Sequence, residues 1–85
     1  MEVTSRTQIS DTHWIEFGKA TWNKDDTSVR DRWATRTGGF SPRSSSEIPL
    51  SSVERIIVET AKLDLLDVAT TARIIEALAA SIARR

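Results

Sequence analysis

The sequence has no cysteine, no tyrosine and a single histidine, His13. Without thiols there is no disulfide scaffold, thiolate zinc site or thiol nucleophile, and one imidazole excludes metal or acid–base chemistry that needs two. Net charge is missing as well. Twelve Lys and Arg offset twelve Asp and Glu, so the chain is not a globally basic nucleic-acid arm. No apolar run approaches the roughly eighteen residues of a membrane span, and Met1–Arg6 lacks the charged-then-apolar pattern of a signal peptide. No nucleophile, base and orienter come together in the pattern, and Asp25-Asp26 lack the ligand spacing of a calcium loop. These absences predict a non-enzymatic, cytoplasmic protein that needs no cofactor and holds no metal.

Eighty-five residues predict one domain, with a composition break inside it. Residues 1–46 are rich in Thr, Ser, Trp and Arg, and residues 50–85 in Ala, Ile, Leu and Val. The first half predicts an antiparallel sheet of three to four strands, and the second a two-helix hairpin, an α+β fold. Val3, Ser5, Thr7 and Ile9 alternate on a first strand. A second is expected over His13–Trp22, where the apolar parity flips at Gly18 as it would at a β-bulge. In the third, Val29–Thr35, Val29 and Trp33 face one way while Arg30 and Arg32, with Arg36 continuing the row, face the other. Gly38-Gly39 predicts a hairpin turn, with a short fourth strand at Phe40-Ser41 stopped by Pro42. Residues 43–47 then form a polar connector.

In the helical half, Ser51 and Glu54 fit a capping box for a helix ending near Lys62. Asp64 or Asp67 caps a second helix reaching about Ala83. Its stripe Leu65, Val68, Ala72, Ile75, Ala79, Ile82 is widened by Ile74 and Leu78. One sheet face cannot cover all of this apolar surface together with Ile56 and Ile57. A homodimer through Ile56, Ile57, Val68, Ile74, Ile75, Leu78 and Ile82 is therefore expected. Burying about 400 Å² more apolar surface is worth about 10 kcal/mol before association entropy is subtracted.

Charge is segregated although it sums to zero. Thr27–Ser46 holds four arginines against one aspartate, whereas Glu47–Ala80 holds six acids against three bases. Guanidiniums two residues apart on a strand sit about 6.5–7 Å apart, close to the phosphate spacing of a nucleic-acid strand. Arg30, Arg32, Arg36 and Arg43 are the candidate phosphate contacts, and Trp14 and Phe40 the candidate base-stacking rings. Trp33, opposite the arginines, is expected in the core. The competing reading pairs the arginines with Asp25, Asp26 or Asp31 on a solvated strand. If the arginines bind nucleic acid, replacing Arg30 and Arg32 by Glu should abolish binding and leave the fold intact. The alternative function is a protein–protein interaction module, a small regulator, adaptor or phage-type inhibitor, using the basic patch and the apolar helix surface.

The run V-R-D-R-W-x5-G-F-S-P-R-S-S-S-E-I-P-L, Val29–Leu50, followed by an amphipathic helix, resembles the transcriptional positive cofactor four family. Arg30, Arg32, Trp33, Gly39, Pro42, Arg43, Ile48 and Leu50 carry the likeness. It implies a small dimeric protein of transcription regulation whose curved sheet binds single-stranded DNA and whose helices form the dimer interface. Ser46-Glu47 stands where the family has a lysine–glycine pair, the family's tryptophan early in the helix is absent, and the second helix is additional.

Overall fold

The computed structural model describes every residue, Met1–Arg85. Four strands precede two helices: β1 (Glu2–Ser10), β2 (His13–Lys19), β3 (Thr27–Trp33), β4 (Ser46–Pro49), α1 (Ser51–Lys62) and α2 (Val68–Ala83). The strands form one antiparallel sheet in the order β1-β2-β3-β4, so the expected α+β class holds. The chain divides into two units, Met1–Val53 and Glu54–Arg85.

Register explains which residues meet on the sheet. Trp14, Glu16 and Gly18 of β2 lie opposite Arg32, Arg30 and Ser28 of β3. Arg6 and Gln8 of β1 lie opposite Glu16 and Trp14, and Glu47 of β4 lies opposite Arg30. Directly paired residues project to the same side, so these share one face, the arginine face. The other carries His13, Ile15 and Phe17 with Trp33, Asp31 and Val29. Trp33 thus lies opposite the arginines as expected, although it is partly exposed and not core.

The bulge lies across from its expected place. Glycine 18 is needed, but the extra residue is on β1, between Val3 and Ser5. A Cβ on Gly18 would stand 1.9 Å from the Glu2 carbonyl oxygen: β1 crosses here too closely for any side chain. Gly18→Ala should therefore destabilise the sheet by about 2 kcal/mol and lower the melting temperature by about 10 °C. An unchanged thermal transition would contradict the close approach. Beyond Gly18, β2 stops at Lys19 and does not reach Trp22, because the Ala20 N–H turns to the Asp26 carbonyl at 3.0 Å.

The Gly38-Gly39 turn forms as expected, with Gly38 at φ 87° and its N–H on the Thr35 carbonyl. Phe40 makes only an isolated bridge to Ala34. The fourth strand comes after a short 3-10 turn, Pro42–Ser44, and overlaps the end of the stretch read as a connector. Val29 faces Ile48 and Arg30 faces Glu47 across it. An edge position tolerates Pro49, whose missing N–H interrupts no inner ladder.

Helix α1 shows no Ser51–Glu54 capping box; it opens with the Val53 N–H on the Leu50 carbonyl. It ends on Asp64 at φ 54°. The Leu65 N–H bonds the Thr60 carbonyl and the Asp64 N–H the Ala61 carbonyl, a Schellman stop in a position glycine favours. Asp64→Gly should stabilise the protein by about 0.5 kcal/mol in urea unfolding, by relieving the left-handed backbone. A loss of stability would contradict this. The cap of α2 is Asp67, whose carboxylate accepts from the Thr70 N–H at 2.7 Å. Neither helix has a buried residue, and the two make no continuous contact with each other. Neither is long and apolar enough to cross a membrane.

Candidate nucleic-acid interface

The most covered side chains of the protein are polar. Glu16 and Ser28 are 0% exposed, while Ala20 is the one buried apolar residue. Glu16 sits at the middle of β2, where strands on either side each deliver arginine. Arg30 approaches Oε1 through Nε at 2.8 Å and Nη2 at 2.7 Å. Arg6 approaches Oε2 through Nε at 2.8 Å and Nη2 at 2.6 Å, and Arg32 Nη1 lies 3.4 Å from Oε2. Burial alone would raise the Glu16 carboxyl, but the hydrogen bonds of Arg30 and Arg6, with their charges, outweigh it and hold it below the ordinary range. Three cations against one anion leave the cluster positive.

Two aromatic rings border this cluster. The Phe40 ring lies 4.9 Å from the Arg30 guanidinium carbon and 5.1 Å from that of Arg32. Trp14 lies 5.9 Å from Arg32. These distances suit cation–π attraction, which orients the guanidinium planes. The Ala34–Phe40 bridge returns Phe40 to the arginine face after the glycine turn. Phe40 stays partly open to solvent, and Trp14 is half-buried.

Four of the six expected site residues therefore come together: Arg30, Arg32, Trp14 and Phe40. Arg36 and Arg43 do not join them. Arg36 falls in the turn beyond β3 and Arg43 in the 3-10 turn, and neither forms an ion pair. The partner of the arginine row is Glu16, not Asp25, Asp26 or Asp31. Side-chain exposure is 15% for Arg30 and 25% for Arg32. Replacing both by Glu would place carboxylates beside a buried carboxylate, so that exchange would test the fold before it tested binding. Arg6, at 49% exposure, is the member of the cluster the alternation pattern missed.

Glu47 has a structural task. Its carboxylate accepts from the Thr21 N–H at 3.0 Å, the Thr21 hydroxyl at 2.8 Å and the Ser28 hydroxyl at 2.8 Å. Burial pushes this carboxyl upward, and the Thr21 and Ser28 bonds bring it below its ordinary value. Thr21 also accepts from the N-terminal ammonium at 2.8 Å, so β4 is tied to the chain beyond β2. On the other face His13 stacks on Trp33, 3.8 Å between ring centres. Asp31 bonds both, His13 through Nε2 and Trp33 through Nε1 at 3.0 Å. The His13 bond chiefly lowers the Asp31 carboxyl.

No family model, curated protein or solved structure matches the chain.

Proposed function

We propose that the protein binds single-stranded nucleic acid, DNA or RNA, on the arginine face of its sheet and catalyses no reaction. The observation that carries this reading is the placement of Trp14 and Phe40 beside the guanidiniums of Arg32 and Arg30 on one face. Aromatic rings stack on any base, and guanidinium forks donate to phosphate oxygens. Such binding needs local charge, which the cluster has, and not net charge, which the chain lacks. The likeness of Val29–Leu50 to the transcriptional positive cofactor four family supports the same reading, and with it a place in transcription regulation.

Fluorescence anisotropy of a labelled, mixed-sequence single-stranded oligonucleotide tests it. Affinity should fall between about 50 and 300 mM salt with a log–log slope near −2, as about three neutralised phosphates require. No binding at low salt, with the protein folded, would refute the proposal.

The helical unit favours an association role as well. Val68 is 87% exposed, and Ile56, Ile75, Leu78 and Ile82 are also open to solvent, while Ile57 and Ile74 are half-covered. Apolar surface of this extent marks a partner, and the proposed partner is a second copy of the chain. Sedimentation should give twice the monomer mass at micromolar concentration, and Ile75→Glu with Ile82→Glu should return it to monomer. If the wild type sediments as a monomer and binds no oligonucleotide, the protein-interaction reading stands in place of both.

A further inference from the structure

Arginines on a binding surface are usually free to swing, and they lose that freedom when a ligand fixes them. Those of this sheet are already fixed. Arg6 and Arg30 each donate the Nε–H to a different oxygen of Glu16 and hold Nη2 in ion-pair contact with that same oxygen. Counting the Nη2 contact as one more N–H engaged, three of the five guanidinium N–H groups remain on each residue. Arg32 touches the carboxylate through one Nη1–H alone, leaving four N–H donors, and the Phe40 ring lies under the Arg30 and Arg32 guanidiniums. Glu16 itself is 0% exposed and cannot meet a ligand.

Building on the nucleic-acid reading, we infer that Glu16 is a positioning residue: its buried carboxylate holds Arg6, Arg30 and Arg32 by one edge so that their remaining donors are preset for the phosphates of a single strand. Arg6 thereby becomes a third phosphate contact, contributed by β1 and unmarked by the Arg30–Arg32 row. The anion within the basic cluster serves the binding of another anion through geometry, because a guanidinium fork discriminates by direction as well as by charge.

This assignment and a purely electrostatic account predict opposite signs. If only charge mattered, Glu16→Gln would remove a repulsive anion, tighten oligonucleotide binding and steepen the salt slope by up to about 0.7. Glu16→Asp would change nothing. If Glu16 positions the arginines, Glu16→Gln should weaken binding about tenfold despite the added positive charge. Glu16→Asp, which keeps the charge but withdraws the carboxylate by one methylene, should weaken it by a similar factor at an unchanged slope. Folding of each variant is checked by circular dichroism. A measurement on the wild type covers the case in which neither folds. The arginine Nε–H resonances of Arg6 and Arg30 should be protected from exchange in the free protein and stay protected when oligonucleotide is added. Folded variants that bind as well as or better than wild type, or loss of that protection on binding, would overturn the inference. A wild type that binds no oligonucleotide would instead remove the reading on which it rests.

Discussion

Glu16→Gln should lower stability by about 3 kcal/mol, a melting-temperature loss of about 15 °C in a domain of this size. The carboxylate is fully covered and is the shared acceptor of Arg6, Arg30 and Arg32. An amide there keeps the shape but offers one neutral oxygen, and its NH2 group points donors at donors. Part of each guanidinium can turn to water, which places the effect at the lower end for a broken buried pair. The same geometry sets the response to acid. The Glu16 and Glu47 carboxyls lie lower in the folded protein than the 4.5 of an unperturbed glutamate. The folded state therefore binds fewer protons at these sites than the unfolded chain. Their contribution is complete above about pH 4.5 and disappears as pH falls through the folded values. Denaturant midpoints should be flat from pH 7 to about 5 and fall steeply below, with a shallower fall in Glu16→Gln. Equal acid limbs in the two proteins would show that the Glu16 carboxylate does not hold the arginines together.

Trp14→Ala and Phe40→Ala should each weaken oligonucleotide binding by about ten- to a hundredfold, the usual loss when a stacked base loses its ring. Trp14 sits against the neighbouring strand, so its removal should also cost some stability. Phe40 is on the returning arm of a turn and should act mainly on binding. Arg36→Gln and Arg43→Gln, outside the cluster, should change affinity less than twofold and shift the salt slope by less than 0.7 each. If the turn variants lost more affinity than the ring variants, the ligand would lie around Arg36 and Arg43 and not on the arginine face.

Alternation was enough to separate Trp33 from the arginines, because period 2 is strict along a strand. The Gly-Gly pair marked the turn that brings Phe40 back. What alternation along single strands leaves open is which strand residues meet across strands. Glu16 is ten residues from Arg6 and fourteen from Arg30, and a lone glutamate in a strand reads as solvent-facing. A usable signal was present: β2 has one acid, on the parity of Trp14, flanked by two strands that each carry arginine. β4 was hidden for a different reason. Ser44-Ser45-Ser46-Glu47 has the composition of a loop, and only the pairing of Ser46 with Asp31 and of Glu47 with Arg30 makes the strand. Bulge placement failed similarly, since Gly18 signals a close approach but not which strand holds the extra residue.

Site-resolved tryptophan quenching tests the central claim most directly. Two proteins are needed, one retaining Trp14 alone and one retaining Trp33 alone, with the other tryptophans changed to phenylalanine. Titration with a single-stranded oligonucleotide at low salt should quench Trp14 strongly, lose that effect at high salt, and leave Trp33 on the opposite face unchanged. Quenching confined to Trp33, or none in either folded protein, would contradict binding on the arginine face.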